Sequence, residues 1–342
     1  MPKTSSLPQL SIIIVNWNCL AFTLECIRSL EETTRNIDCE VIVIDNASRD
    51  APCSDLVAEF PSVKLILSDR NLGFGRANNL GLKHAVGQYL LFLNPDTLVK
   101  ADSVLRMHRE LAARPHAGAM GCRLLNPDGT LQTTCTFVFP TITNQLLAID
   151  WLQQRWPALP LWGKQALYSN DGQSVHEVQV APGAAIMIPR HVFESVGGFN
   201  PDYFMYAEEV DLCLAIRRAG YSVLHLADAE IIHFGGQSTN KCEDGFATVL
   251  MCDSVYRFFR RTHGRMYAIL YRALLSANAL CRLVILGCAA PLPFLFPGRV
   301  DRNFLSKAHR KWWKIAFWTI GRNSYRQEPP SRSIISITAV EP

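Results

Sequence analysis

The sequence has little of several features that would restrict its class. Its 342 residues contain no low-complexity tract and no Cys-x-x-Cys pair, and 34 Lys and Arg residues stand against 30 Asp and Glu residues. Because 49% of the residues are hydrophobic, a sizeable core can form, which excludes intrinsic disorder, collagen and small disulfide scaffolds. The near balance of charge gives no reason to expect nucleic acid as a partner.

Cysteine usage and the N-terminal residues indicate a reducing compartment. The eleven cysteines are odd in number and scattered, so we expect free and mostly buried thiols. Residues Met1 to Gln9 lack the basic and then apolar order of a secretory signal. We therefore expect a cytoplasmic protein.

Strand and helix patterns alternate through the first third of the chain. Short apolar runs, each followed by turn or polar residues as in buried parallel strands, occur at Leu10 to Val15, Val41 to Ile44, Val63 to Leu67 and Tyr89 to Leu93. Helical spacing occurs at Leu20 to Leu30, Asp55 to Phe60, Arg76 to Val86 and Ala101 to Ala113. This alternation predicts a doubly wound α/β sheet flanked by helices.

The pattern becomes mixed between residue 117 and about residue 240. Asn126 to Gly129 is a strong turn signal. Val178 to Ile188 and Val223 to Ile232 have strand patterns, and Glu208 to Ala219 has helical spacing. We expect this half to extend the same sheet and to cover its cleft.

The remaining residues, 246–342, are predicted to form a helical, apolar and basic extension that follows a catalytic domain over residues 1–245. The longest uncharged stretch in its apolar part, Leu283 to Pro297, has 15 residues, fewer than the ~20 that span a bilayer as a helix. Lys307 to Trp318 mixes basic residues with aromatic ones, which suits either an interfacial amphipathic helix or a helix packed on the preceding domain. The first alternative predicts peripheral membrane contact through residues 265–320, on the inner face of the cell membrane.

Polar residues follow each of the first four predicted strands, at the edge where an open α/β sheet binds its ligands. Asp45 can accept hydrogen bonds from a nucleobase or a ribose, while Asn46 and Ser48 hold the turn; for Ser48 a helix cap is the alternative. Gly73 can let the backbone approach a diphosphate with Arg76 as countercharge, the alternative being a tight loop without a ligand. The candidate ligand-binding residues here are Asn16, Asn18, Asp45, Asn46, Ser48, Gly73, Arg76, Asn78 and Asn79.

Asp96 and His233 are the candidate metal ligands. Pro95 fixes the backbone so that Asp96 stands at the tip of the fourth strand, where one carboxylate suits a hard divalent cation that bridges phosphates. His233 ends an apolar run, and imidazole beside carboxylate would admit Mn²⁺ as well as Mg²⁺. A Pro-Asp turn without metal and a packed histidine are the structural alternatives.

Three acidic residues fall within the segment from Glu208 to Asp211. The helix dipole favours acids in a first turn, which would make them structural. Crowded carboxylates beside apolar residues instead raise one another's pKa, which suits a general base. Glu209 and Asp211 are therefore the candidate catalytic residues.

The ordered set of these motifs resembles glycosyltransferase family 2, whose nucleotide-sugar-binding core has the GT-A fold. The matching segments are Ser11 to Asn18, Asp45 to Asp50, Asn71 to Gly81, Leu93 to Thr97, Gly197 to Phe199, Phe204 to Leu212 and Arg217 to Tyr221. Among the subgroups of the family, the sequence is most similar to bacterial rhamnosyltransferases of polysaccharide assembly.

The resemblance implies a metal-dependent, inverting hexosyltransferase that moves a sugar, such as rhamnose, from a nucleoside-diphosphate sugar. The acceptor would be a saccharide or a lipid-linked saccharide in cell-surface polysaccharide synthesis. The resemblance also implies that Asp45 and the Asn16 region hold the nucleoside and that Glu209 is the base. Asp96 and His233 would lie at the Mg²⁺ or Mn²⁺ site, near the diphosphate.

The sequence departs from the family pattern at three positions. Asn94 stands where the metal-binding Asp-x-Asp motif begins, Glu209 replaces the usual Asp, and Ala215 replaces a frequent Arg. Two other functions stay open. A sugar nucleotidyltransferase would need a glycine- and lysine-rich loop after the first strand, where this chain has Asn16 to Asn18, and a catalytically silent sugar-nucleotide-binding protein would explain the change at Glu209.

Overall fold

The computed structural model describes residues 8–132, 138–147, 155–156, 159, 174–236, 246–291 and 302–321. Strands in this part of the chain form one nine-stranded mixed sheet. They are β1 (Leu10–Asn16), β2 (Cys39–Asp45), β3 (Lys64–Leu67), β4 (Tyr89–Leu93), β5 (Thr97–Val99), β6 (Ala117–Leu125), β7 (Val175–Val178), β8 (Ala185–Pro189) and β9 (Ser222–His233).

Helices lie between and after these strands. They are α1 (Leu20–Thr33), α2 (Ser54–Glu59), α3 (Phe74–Leu82), α4 (Ser103–Ala112), α5 (Ile142–Leu146), α6 (Arg190–Ser195), α7 (Glu208–Arg218), α8 (Phe246–Thr262), α9 (Arg265–Ala289) and α10 (Arg302–Thr319). The alternation predicted for the first third of the chain is confirmed, with element ends that differ by a few residues.

The sheet has the strand order β3-β2-β1-β4-β8-β6-β9-β5, and β7 pairs with β9 outside this path. Strands β1 to β4 are parallel to their neighbours within this group, whereas β8 is antiparallel to β4. All seven residues of β1 are buried, because helices cover both faces of the sheet. The chain builds outward from β1 to β3 and then returns to place β4 on the other side of β1. The carboxyl ends of β1 and β4 therefore flank the point where a doubly wound sheet binds ligands.

The predicted strand from Val178 to Ile188 is wrong as a single element. The structure has β7 and β8 instead, which pair with different strands and are separated by residues 179–184. Pro182 lacks a backbone donor and Gly183 has no side chain to pack, so this stretch breaks the ladder. The Asn126 turn is present, since its backbone N–H donates to the Thr130 carbonyl at 2.7 Å.

The three long helices after residue 245 pack on one another and on the sheet domain. Ser254 of α8 donates to the Met205 carbonyl at 2.7 Å, and Asn278 of α9 donates to the Leu146 carbonyl at 3.2 Å. The predicted helical extension is confirmed, while the boundary between residues 245 and 246 stays a prediction.

Helix α9 differs from the expectation of a short apolar segment. It has 25 residues and is the one described helix long and apolar enough to cross a membrane by length and composition. The predicted uncharged stretch runs only from Leu283 to Pro297, whereas the helix begins at Arg265 and includes Arg272 and Arg282. Pro293 and Pro297 lie outside the described residues.

The described cysteines are all free, as expected. Cys19, Cys26, Cys122 and Cys213 are buried. Cys281 and Cys288 are exposed on α9, which departs from the expectation of buried thiols.

Candidate active site

A cavity of about 410 Å³ opens at the carboxyl ends of β1 and β4, a size in the ~300–1,000 Å³ range of small-molecule sites. It is walled by the ends of the central strands, the segment before β8, the first turn of α7 and part of α8. The predicted site residues that line it are Asn46, Gly73, Asp96, Glu209 and His233. The fold therefore brings to one cavity residues from each of the four strand-end motifs, from the acidic segment and from the end of β9.

Asp96 and His233 are adjacent across the sheet. Thr97 pairs with His233 in the antiparallel β5–β9 ladder, so the two side chains emerge at the same end of the sheet. The imidazole Nε2 of His233 lies 3.4 Å from Asp96 Oδ1 and 3.2 Å from Asn94 Nδ2. The Asp96 side chain is 8% exposed and the His233 side chain 14% exposed, so the pair is largely shielded from bulk water.

Gln132 orients the imidazole from the other side. Its Nε2 donates to the His233 carbonyl at 3.1 Å and to Asn126 Oδ1 at 3.2 Å, which fixes the direction of the amide. The Gln132 Oε1 then lies 2.7 Å from His233 Nδ1 and accepts a hydrogen bond from it. Nδ1 therefore faces Gln132, and Nε2 is the ring nitrogen that faces Asp96.

Glu208 and Glu209 begin α7 and line the same cavity. Burial raises the pKa of Glu208 well above its ordinary value, with a further rise from the Glu209 charge, and burial also raises the pKa of Glu209. Glu208 is 4% exposed, and no donor among the described residues reaches its Oε2. Both carboxyl groups therefore hold a proton more readily than an exposed glutamate does, and the rise in pKa is larger for Glu208.

The backbone before α7 is strained. Tyr206 and Ala207 have φ angles of 69° and 61°, in the left-handed region that costs a residue other than glycine about 1–3 kcal/mol. Gly183 lies opposite, where an added Cβ would stand only 3.1 Å from Glu209 Cγ. The left-handed backbone of Tyr206 and Ala207 sets the direction of the first turn of α7, and the absence of a side chain at Gly183 leaves room for the Glu209 side chain in the cavity.

Asp211 lies outside the residues that line the cavity. Its Oδ1 is 3.3 Å from Nε of Arg261 in α8, and its Oδ2 accepts a hydrogen bond from Asn200 at 3.2 Å. Burial raises the pKa of Tyr203, and the Asp211 charge raises it further. These contacts give Asp211 a structural role between α7 and α8, while a catalytic role for it is without geometric support.

The Asn16 and Asp45 side chains bond each other instead of lining the cavity. Asn16 Nδ2 donates to Asp45 Oδ1 at 3.0 Å and to Ser48 Oγ at 3.1 Å, and Asn18 N donates to Ser48 Oγ at 3.0 Å. Asn18 Oδ1 also accepts from the Arg49 backbone N–H at 2.7 Å. This network rigidifies the ends of β1 and β2, and nucleoside binding by these residues stays a prediction.

Asn46 and Gly73 reach the cavity through the loop before α3. The Asn46 amide donates to Asn71 Oδ1 at 2.9 Å and accepts from the Leu72 backbone N–H at 2.8 Å. Gly73 has a φ of 79°, and a Cβ there would lie 2.1 Å from the Phe204 carbonyl oxygen. Only glycine fits this close approach, which also joins the loop to the segment leading into α7.

Arg76, Asn78 and Asn79 all have partners within the protein and do not line the cavity. Arg76 Nε donates to the Pro201 carbonyl at 2.7 Å, and Asn79 exchanges two hydrogen bonds with the Phe199 backbone. Asn78 Nδ2 donates to the Phe74 carbonyl at 3.1 Å. These contacts fasten α3 to the segment before α7, and a phosphate contact for Arg76 stays a prediction.

Sequence reasoning missed three residues of the site. Gln132, Gly183 and Trp17 all line the cavity, and Trp17 follows β1 directly. Trp17 lies within a strand-end motif and could have been found there. Gln132 and Gly183 carry no local signal, because their roles depend on partners about 100 and about 26 residues away in the chain.

Comparisons with known proteins agree with this geometry. The sequence model described as Glycosyl transferase family 2 matches residues 11–172. The N-acetylglucosaminyl-diphospho-decaprenol L-rhamnosyltransferase of Mycobacterium tuberculosis is 28% identical over 212 residues, which are 59% of this chain and 68% of that protein. Rhamnosyltransferase WbbL of Escherichia coli is 27% identical over 169 residues, which are 47% of this chain and 61% of that protein.

A solved structure supports the fold. The mannosyltransferase PcManGT from Pyrobaculum calidifontis, in complex with GDP-Man and Mn²⁺, superposes with a TM-score of 0.53 at 17% identity and covers 92% of this chain and 88% of its own. At that identity the likeness speaks for the architecture alone. The predicted resemblance, fold and activity class are thus confirmed: residues 11–172 match the model of glycosyltransferase family 2, and the chain is similar to rhamnosyltransferases of polysaccharide synthesis.

Proposed function

We propose that this glycosyltransferase transfers a sugar, with inversion at the anomeric carbon, from a nucleoside-diphosphate sugar to a hydroxyl of a saccharide acceptor. The observation that carries the proposal is the meeting of Glu209 with the Asp96 and His233 pair in one cavity. A base for the acceptor hydroxyl and charged groups for a diphosphate are the two requirements of this reaction.

Glu209 acts as the general base in this mechanism. Its carboxylate takes the proton of the acceptor hydroxyl while the hydroxyl oxygen forms a bond to the anomeric carbon. The bond between that carbon and the diphosphate oxygen breaks, and its electron pair leaves with the diphosphate. The raised pKa of Glu209 makes its carboxylate a stronger base than an ordinary glutamate, and Glu208 remains protonated beside it.

His233 and Asp96 have the chemistry of a divalent cation site. His233 Nε2 and Asp96 Oδ1 lie 3.4 Å apart at the cavity wall, and imidazole nitrogen and carboxylate oxygen are ligands that Mn²⁺ and Mg²⁺ accept. No group of three or more His, Cys, Asp or Glu side chains that could hold a metal ion occurs among the described residues. We propose that Asp96 and His233 would hold Mg²⁺ or Mn²⁺ jointly with the donor diphosphate, and that the ion would supply positive charge to the leaving group.

A saccharide carried on a lipid diphosphate is the acceptor we favour. The M. tuberculosis relative is described as acting on a decaprenol diphosphate-linked sugar, and the cavity wall includes the apolar residues Met251 and Val255 of α8. Such acceptors are assembled at a membrane, so we place the protein in the cytoplasm at the inner face of the cell membrane. Rhamnose is the donor sugar that the relatives favour.

A thermal-shift panel of nucleoside diphosphates and their sugars, with and without Mn²⁺, tests donor binding. A ligand of the native state raises the melting temperature, and we expect a larger rise when Mn²⁺ is present. The preferred donor is then incubated with a saccharide acceptor, and NMR of the product gives the anomeric configuration. A panel in which no nucleoside diphosphate shifts the melting temperature would contradict the proposal.

A further inference from the structure

Helix α9 is apolar on both of its faces. One face packs against the protein through Ala268, Tyr271, Leu275, Ala279 and Leu283, all of them buried. The opposite face, here called the α9 stripe, consists of Met266, Ile269, Leu270, Ala273, Leu274, Ala277, Leu280, Cys281, Val284, Ile285, Gly287 and Cys288. Every residue of the α9 stripe is exposed, and it contains no charged or hydrogen-bonding polar side chain apart from the two thiols.

The α9 stripe is too long and too continuous for an ordinary protein surface. At about 1.5 Å per residue, the 25 residues of α9 extend over roughly 37 Å. Met266 is 78% exposed, Val284 67% and Ile285 60%. Contiguous apolar patches of this kind mark a surface that contacts another protein or a membrane.

Helix α10 lies beside α9, and its positive charge favours a membrane over a protein as the partner of the α9 stripe. Arg272 of α9 donates to the carbonyls of Trp318 and Thr319, and Arg282 stacks over the Trp312 ring at 4.4 Å, so the two helices run antiparallel. The exposed residues of α10 combine the cations Lys307, Arg310 and Lys311 with Phe304 and Trp313. Exposed cations next to exposed aromatic and aliphatic side chains complement an anionic lipid surface.

We propose that the α9 stripe and the exposed residues of α10 form a membrane-binding surface, which seats the enzyme on a bilayer that contains anionic lipids. Helix α9 lies in the plane of the interface with its stripe among the acyl chains. A spanning orientation would carry the cations of α10 into the hydrocarbon core, because α10 packs along α9. The lying orientation leaves those cations at the level of the headgroups.

This surface is close to the cavity. Tyr267 of α9 accepts a hydrogen bond from the Ile142 backbone N–H at 3.4 Å, and the segment around Ile142 contributes Pro140 and Gln145 to the cavity wall. Helix α8, which contributes Met251 and Val255, also packs on α9. An acceptor held in the membrane by its lipid would therefore meet the cavity at its apolar wall, a consequence that rests on the proposed function.

Vesicle co-sedimentation of the full chain tests the membrane-binding surface. We expect the protein to pellet with vesicles of phosphatidylglycerol and phosphatidylcholine and to bind less tightly to vesicles of phosphatidylcholine alone. The triple variant Leu280→Gln, Val284→Gln, Ile285→Gln should lower the partition coefficient by more than about tenfold, since it removes three exposed apolar side chains. The double variant Lys307→Glu, Lys311→Glu should weaken binding to the anionic vesicles only, and this difference should shrink at high salt.

Two controls separate this result from other causes. The variant Leu67→Gln, Val86→Gln changes apolar residues of the sheet domain that are also exposed, at 37% and 41%, and should bind vesicles as the wild type does. Thermal shifts with a nucleoside diphosphate should be the same in the triple variant and the wild type, so donor binding and membrane binding are scored apart.

Three results would overturn the membrane-binding surface. The first is that the wild type stays in the supernatant with every kind of vesicle. The second is that the triple variant pellets with the vesicles to the same extent as the wild type. Alternatively, the wild type without vesicles is a dimer that the triple variant converts to monomers, in which case a second copy of the chain covers the α9 stripe.

Discussion

Gln132 determines the geometry of the His233 side chain, and its replacement gives the sharpest test of the cation site. The variant Gln132→Leu removes the acceptor 2.7 Å from His233 Nδ1 and the donor 3.1 Å from the His233 carbonyl. The Nδ1 proton then has no fixed partner, so the ring can rotate or take the other tautomer. In either case Nε2 no longer presents its lone pair beside Asp96.

The size of the effect follows from the position of Gln132 behind the ligand. Loss of a hydrogen-bond partner that orients a ligating histidine typically lowers metal affinity by about 10–100-fold. This range corresponds to about 1.4–2.7 kcal/mol at about 1.36 kcal/mol per factor of ten. Because the cation is shared with the donor diphosphate, we expect the loss to be measurable only when a nucleoside diphosphate is bound.

Electron paramagnetic resonance measures this affinity as the disappearance of free Mn²⁺ during a titration. The matched control is Gln145→Leu, because Gln145 lines the same cavity but has no hydrogen bond to His233. We expect weaker Mn²⁺ binding for Gln132→Leu alone, together with changed ¹⁵N shifts of the His233 ring. Equal affinity in the two variants and the wild type would refute the role given to Gln132.

Two further predictions concern Glu209 and its neighbour. The variant Gly183→Ala should lower kcat by up to about tenfold with little change in donor KM, because the added Cβ would lie 3.1 Å from Glu209 Cγ and displace the Glu209 side chain. The control in the same kinetic assay is Gly287→Ala, whose added Cβ would have no atom within 4 Å. Burial raises the pKa of Glu208 in the folded state above its ordinary value of 4.5. The folded protein therefore keeps the Glu208 proton more tightly than the unfolded chain does, and the free energy of unfolding is highest below pH 4.5 and falls as the pH rises toward the raised pKa. Urea unfolding at a series of pH values should show this fall, at most about 1.4 kcal/mol per pH unit, and Glu208→Gln should flatten it; an unchanged slope would contradict the assignment.

Local patterns in the sequence were sufficient to predict the sheet. The parallel strands β1, β2 and β4 each contain a short run of apolar, mostly buried residues, and the helices between them have clear spacing, so each element could be identified from its own residues. The break between β7 and β8 has a local signal that the prediction overlooked, since Pro182 and Gly183 lie inside the predicted strand from Val178 to Ile188. What the sequence does not show is that the two halves pair with different strands, β7 with β9 and β8 with β4.

The candidate site was predictable to the extent that its residues directly follow strands. Asp96 directly precedes β5, whose first residue Thr97 pairs with His233 at the end of β9. Their meeting therefore depends on a short strand that the sequence did not predict. Arg76 and Asp211 carry the same charges whether they bind a ligand or a neighbouring segment, and their partners Pro201 and Arg261 lie far along the chain. A motif therefore predicts where in the fold a charged residue lies better than it predicts whether that residue binds a ligand.

The direct test of the account is a comparison of sugar transfer by Glu209→Gln, Glu208→Gln and Asp211→Asn, each with donor binding measured by thermal shift. We expect Glu209→Gln to bind the donor and to lose roughly 10²–10⁴-fold in kcat, the usual contribution of a general base. Glu208→Gln, which replaces a neutral acid by a neutral amide, should lose less than about tenfold, and Asp211→Asn should lose stability through its Arg261 contact more than turnover. Full activity in Glu209→Gln together with inactivity in folded Asp211→Asn would contradict the assignment of Glu209 as the base.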